Sequence, residues 1–248
     1  MCGIVGAVSK KDVLPILIRG LQKLEYRGYD SAGVAVINDP SKGIHRLRVL
    51  GKVSELEKSL EEKTLSGHLG IAHTRWATHG QPSVINAHPQ HSKDEVAVVH
   101  NGIIENFQEL RKKLTEEGFR FNSQTDTEVI VHLVNFHLSH SSDMFAALRA
   151  SLQELEGAYA VGIIHKNEPN TLYAIRRGSP LVIVLGEEEN FIASDPLALL
   201  PHTEKFIFLE EGDIARIEIT QCLIRDKNGK EVKREIHQSL SDFDDTSK

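Results

Sequence analysis

Cys2 carries the densest chemistry in the chain, because removal of Met1 would leave a thiol and a free α-amine on one carbon. An α-amine titrates at about pH 8 and a free thiol at about 8.5, so at neutral pH the amine can take the thiol proton directly or through one water. Nucleophile and base then reside in one residue. If Met1 stays, that nitrogen is an amide and cannot act as the base. A thiolate attacking a carbonyl needs donors aimed at the oxyanion, and His100-Asn101-Gly102 supplies a side-chain amide next to a glycine N–H. Asn-Gly is also the commonest hairpin turn, so a plain turn is the competing reading. In His73-Thr74-Arg75-Trp76-Ala77-Thr78-His79-Gly80, Arg75 offers a bidentate fork for a carboxylate, Thr78 and His79 add hydrogen-bonding groups, and Trp76 can exclude water. A surface loop with a packed Trp explains the same residues more plainly. Asp126, at a helix start, can hold an ammonium group or merely complement the helix dipole.

These residues need elements to position them. Runs rich in β-branched residues predict strands at 4–8, 33–37, 44–50, 69–73, 96–100, 158–164, 172–176, 181–185, 206–209 and 214–219, separated by Gly, Asn, Asp or Pro turns. The run after Cys2 anchors that residue at the start of a buried strand, as a frayed terminus could not. Asp12 caps a helix with Val13, Ile16, Leu17, Leu21 and Leu24 on its apolar face and Pro15 in its first turn. Ser54 with Glu57, and Thr125 with Glu128, have capping-box spacing. Leu110 and Leu114 open another helix, closed by Gly118, and 127–155 reads as two helices broken near Ser141-Ser142. Consecutive strands lie too close for crossover helices, which predicts antiparallel sheets and an α+β fold in one domain over 2–238.

The 248 residues, 40% of them hydrophobic, suffice for a full core without metals or disulfides. A net charge of −6 with no long block of one sign argues against nucleic acid as a partner. The longest apolar stretch, 158–164, falls far short of the roughly 20 residues of a membrane span. No basic residue precedes the short N-terminal apolar run, which predicts a cytoplasmic protein without a secretory signal. Cys2 and Cys222 cannot make a disulfide framework, and Cys222 reads as a packed thiol. Among 13 histidines, His88 with His91 and His137 with His140 each form only half a metal site, so no metal or cofactor is expected.

Taken together, Cys2-Gly3-Ile4-Val5-Gly6, Arg27-Gly28-Tyr29-Asp30-Ser31-Ala32-Gly33, the 73–80 motif and His100-Asn101-Gly102 closely resemble the class II glutamine amidotransferases, which are N-terminal nucleophile hydrolases. Leu24-Glu25-Tyr26, Gly178-Ser179-Pro180-Leu181, Phe191-Ile192-Ala193-Ser194-Asp195 and 208–213 extend the likeness to the bacterial glutamine–fructose-6-phosphate aminotransferases, the glucosamine-6-phosphate synthases. The resemblance implies a four-layer αββα sandwich in which Cys2 attacks the amide of L-glutamine, releasing ammonia through a γ-glutamyl thioester that water resolves to glutamate. It implies Asn101 and the Gly102 N–H as oxyanion donors, Arg75 on the substrate carboxylate, Asp126 on its ammonium, and Thr78 and His79 completing the pocket. Trp76 would belong to a closing loop, with Arg27 and Gly28 supporting the nucleophile. The sugar-phosphate isomerase half, whose acceptor is fructose 6-phosphate, does not follow Lys248, so the chain reads as a glutaminase half with 239–248 beginning an interdomain linker and the full-length protein as a homodimer. Three alternatives remain: a glutaminase domain of another class II amidotransferase, a papain-like hydrolase using His79 or His100 as base, and a module that binds glutamine without turnover.

Overall fold

The computed structural model describes residues 2–141, 143–200 and 204–238, without the side chain of Arg27. The expected linker, 239–248, and Ser142 lie outside the described residues.

Two seven-stranded sheets stack face to face, and neighbouring strands within each are antiparallel. The first sheet runs, edge to edge, β11 (Lys205–Phe208), β9 (Val182–Leu185), β10 (Glu189–Ala193), β1 (Gly3–Ser9), β4 (Leu69–Arg75), β2 (Ser31–Ile37) and β3 (His45–Leu50). The second runs β14 (Glu231–Val232), β13 (Cys222–Arg225), β12 (Asp213–Ile217), β8 (Leu172–Arg177), β7 (Gly157–His165), β6 (Val96–Ile104) and β5 (Gln90–Ser92). Helices α1 (Leu14–Leu24) and α2 (Val53–Glu61) cover the first sheet, while α3 (Phe107–Glu116), α4 (Thr127–His140) and α5 (Met144–Glu154) cover the second.

Three apolar cores follow from this stacking. One lies between α1–α2 and the first sheet, one between the sheets, and one between the second sheet and α3–α5. This is the expected αββα sandwich. Central strands therefore bury both faces: every residue of β1, β2 and β4 is buried, and these strands lack polar alternation, β4 turning polar only at its end, His73-Thr74-Arg75. Cys222, on β13, packs against the core between the sheets, and burial pushes its thiol up to about 12.

The helix starts differ in part from expectation. Asp12 Oδ1 accepts the Leu14 N–H at 3.2 Å and the Gly67 N–H at 3.0 Å, while Val13 occupies the cap position itself. Ser54 does not cap α2, whose first N–H, on Val53, is satisfied by Glu25 Oε1 at 2.8 Å from a distant turn. Thr125 does not cap α4 either. Asp126 holds the cap position, and Glu128 folds back onto the Asn122 and Ser123 N–H groups at 2.8 and 2.6 Å. The end of α3 is as expected, with Gly118 at φ +86° and the Phe119 N–H reaching the Leu114 carbonyl.

Candidate active site

The thiol sits where β1 begins and β4 ends. Cys2 immediately precedes β1, whose first residue, Gly3, is opposite Thr74 in β4. Since β4 ends at Arg75, the next backbone unit meets the sulfur: the Trp76 N–H donates to Cys2 Sγ at 3.1 Å. Burial pushes the Cys2 thiol above its ordinary range, and the Trp76 N–H and the Arg75 charge offset this in part.

The second sheet completes the arrangement from the opposite side. His100-Asn101-Gly102 is not a hairpin turn; it lies inside β6, with Asn101 opposite Ala160 and Gly102 opposite Tyr159 in β7. Asn101 Nδ2 donates to the Cys2 carbonyl at 3.1 Å, tying the sheets together at Cys2. Gly102 has φ +129°, and a Cβ there would stand 2.0 Å from the Ala158 carbonyl oxygen, so only glycine fits.

Asp126 is buried at the start of α4, where its Oδ2 accepts the Ile104 N–H at 2.9 Å and lies 3.9 Å from His79 Nδ1. Arg75 is 3% exposed, and its Nη2 donates to the His79 and Gly80 carbonyls at 2.5 and 2.9 Å. Its Nη1 lies 3.4 Å from Asp30 Oδ1. Three of the guanidinium's N–H groups thus shape its own loop before any ligand arrives. Cys2, Arg75, Trp76, Thr78, His79, Gly102 and Asp126 line one cavity of about 20 Å³, which is room for about one water. Larger cavities elsewhere contain neither Cys2 nor Asn101.

Trp76 is 55% exposed, with its indole lying on Gly28, where a Cβ would approach Cζ3 to 2.3 Å. Gly28, at φ +77°, therefore seats the Trp76 ring. Arg27 closes the short turn Glu25–Arg27, and its side chain is outside the described atoms.

Two groups of residues escaped the sequence reading. Asp30 clamps the loop after β4: its Oδ2 accepts the Ala77 N–H at 2.5 Å, and its own N–H reaches the Arg75 carbonyl at 2.7 Å. The sequence signal was its place in the Arg27–Gly33 motif; that the next residue, Ser31, stands opposite Arg75 in β4 is seen only in the fold. Behind the thiol, Thr127 Oγ1 lies 2.7 Å from His88 Nε2 and 2.9 Å from His100 Nδ1, while the His73 and His88 rings stand 4.3 Å apart. Burial lowers His73 to about 3 and holds His88 and His100 below the ordinary imidazole range. No imidazole hydrogen-bonds Cys2 Sγ among the described residues, which leaves the papain-like arrangement without a base in place. His137 and His140 are engaged singly, by Glu154 at 2.8 Å and by the Phe136 carbonyl at 2.9 Å.

Comparison with known proteins agrees with this geometry. A family model described as a glutamine amidotransferase domain matches residues 73–201. The glutamine–fructose-6-phosphate aminotransferase of Haemophilus influenzae is 55% identical over all 248 residues, and that of Escherichia coli K12 is 55% identical over 98% of the chain. The chain spans 40% of the length of each. Among solved structures, the glutamine phosphoribosylpyrophosphate amidotransferase of B. subtilis matches 96% of the chain and 50% of its own at 25% identity, with a TM-score of 0.74. A glutamine aminotransferase class-II domain protein of Silicibacter pomeroyi shares the fold, with a TM-score of 0.61 at 19% identity over 91% of the chain and 99% of its own.

Proposed function

Because the chain belongs to the glutamine amidotransferase domain family, we propose that it hydrolyses the side-chain amide of L-glutamine to glutamate and ammonia with Cys2 as nucleophile. The observation that carries this reading is that Cys2 is hydrogen-bonded by Asn101 from the opposite sheet and lines one cavity with Gly102, Arg75 and Asp126.

With Met1 removed, the Cys2 amine takes the thiol proton and Sγ adds to the amide carbon. One Asn101 Nδ2 hydrogen is used on the Cys2 carbonyl, and its second, with the Gly102 N–H, is free to receive the oxyanion. Collapse of the tetrahedral intermediate breaks the C–N bond, and the Cys2 ammonium returns the proton to the leaving ammonia. Water then adds to the γ-glutamyl thioester, releasing glutamate and restoring the thiol. Arg75 binds the substrate carboxylate and Asp126 its ammonium, with Thr78 and His79 completing the pocket and Trp76 closing over it. Such closure separates the thioester from bulk water until ammonia has left.

The 55% identity to glutamine–fructose-6-phosphate aminotransferases supports a finer reading, in which 2–238 is the glutaminase domain of such an enzyme. Its ammonia would go to fructose 6-phosphate on an isomerase domain, in a cytoplasmic homodimer, with 239–248 leading into the linker. No helix among the described residues is long and apolar enough to cross a membrane. The test is glutamate release from glutamine by the Met-free chain beside Cys2→Ala. Release that disappears in the variant supports the reading, and a folded, Met-free chain that binds glutamine without turnover refutes it.

A further inference from the structure

Asn101 can serve the reaction only with its amide turned one way. The NH₂ end must face Cys2, yet an amide side chain is nearly symmetric in shape, so its neighbours must decide the direction. One neighbour is the Cys2 carbonyl, an acceptor 3.1 Å from Nδ2. The other is His73 Nε2, 3.0 Å from Oδ1. Direction at that end depends on which ring nitrogen of His73 holds the proton.

A third group resolves the ambiguity. His73 Nε2 also lies 2.9 Å from the His100 carbonyl oxygen, which can only accept. Two acceptors converge on Nε2, so it carries the hydrogen and shares it between them. The resulting chain is polarised in one sense: Nε2–H donates to Asn101 Oδ1, and Asn101 Nδ2–H donates to the Cys2 carbonyl. A reversed amide would set Nδ2–H against Nε2–H and Oδ1 against the Cys2 oxygen, two repulsive contacts in place of two attractive ones. The opposite nitrogen, His73 Nδ1, is buried without a hydrogen-bond partner among the described residues, and the ring is held against His88. Burial keeps the imidazole neutral at working pH, and the His100 carbonyl holds its one proton on Nε2.

From this geometry we infer that His73 is a positioning residue for the glutaminase reaction: its Nε2–H locks the Asn101 amide with the donor end toward Cys2 and the oxyanion. The inference rests on the proposed roles of Cys2 and Asn101. His73 does not touch the nucleophile; it acts through Asn101.

The experiment has a structural and a kinetic arm, both on the full chain. Nitrogen-15 NMR, with His73 assigned by the signals lost in His73→Phe or His73→Gln, reads the tautomer. The expected result is a protonated Nε2 and a bare Nδ1, unchanged from pH 8 to pH 5. A proton on Nδ1, or titration in that interval, overturns the inference. Kinetically, His73→Phe nearly keeps the ring's shape and removes the donor, and it is expected to lower kcat by about 10- to 100-fold, with KM for glutamine within about 3-fold and a cooperative fold whose Tm falls by several degrees as two buried acceptors lose their donor. His73→Gln restores an N–H at the same reach and recovers most of kcat. Unchanged kcat in His73→Phe, or equal loss in both variants, assigns His73 to packing and overturns the inference. If His73→Phe fails to fold, the tautomer and the Gln variant decide. A wild-type chain that makes no glutamate refutes the proposed function instead, while the tautomer still tests the hydrogen-bond chain.

Discussion

Asp126→Asn separates substrate binding from architecture at one position. Asp126 is buried, and its Oδ2 already accepts the Ile104 N–H at 2.9 Å. Asparagine preserves that acceptor through Oδ1, so the fold should lose about 1 kcal/mol or less. The charge is what disappears. A charge-assisted hydrogen bond contributes about 1.5–3 kcal/mol, so losing the contact to a substrate ammonium should lower kcat/KM for glutamine by about 10- to 150-fold. The assay compares two substrates on both proteins: glutamine, and the same molecule without its α-amino group. The desamino amide cannot contact Asp126 by charge, so wild type and variant should turn it over within about 3-fold of each other. Equal losses on both substrates would show that Asp126 serves only to hold Ile104 and the start of α4, and the assignment of the ammonium subsite would fall.

Other consequences follow from individual contacts. Gly102→Ala puts a Cβ against the Ala158 carbonyl at a strained φ, and at a cost of at least about 2 kcal/mol thermal denaturation should show a Tm lower by about 4–8 °C; an unchanged Tm would contradict the geometry. Gly28→Ala displaces the chain's one Trp, so intrinsic fluorescence should change together with a loss of glutaminase activity, and an unaltered spectrum would exclude the ring contact. His73, His88 and His100 have pKa values in the folded chain below the unfolded value of about 6.5, so the unfolded state binds more protons as the pH falls below that value. Stability is therefore fully present above about pH 6.5 and lost on acidification, by up to about 1.4 kcal/mol per pH unit for each histidine. Urea midpoints at pH 7.5 and pH 5 should differ in that sense, and identical midpoints would refute the buried neutral cluster.

What could be read from the sequence depended on how local each interaction is. Most central strands were legible because burial on both faces leaves continuous apolar runs, but β10, beside β1 in the first sheet, was not among the expected strands because its apolar run is only Phe191-Ile192-Ala193. The short β5 and β14 have no such run and are defined by pairing alone. The Asn101-Gly102 pair illustrates the limit: its local chemistry fits a turn, and only pairing with Ala160 and Tyr159 makes it a strand segment. Both capping boxes failed for a related reason, since Glu25 reaches α2 from another part of the chain and Glu128 is engaged by the loop before α4. Cys2, Arg75 and Asp126 were legible through residue type and motif, and the structure brings them to one cavity. The His73–His88–His100–Thr127 cluster joins separated segments without any local signature, and its members become related only when the sheets stack.

The most direct test of Cys2 as the glutamine-directed nucleophile is trapping with an electrophilic glutamine analogue, followed by intact mass and peptide mapping of the adduct. The account predicts one adduct per chain, on the Cys2 sulfur, formed by the Met-free protein and prevented by excess glutamine. An adduct on Cys222 or a histidine, or labelling of Cys2 that glutamine does not slow, would contradict it.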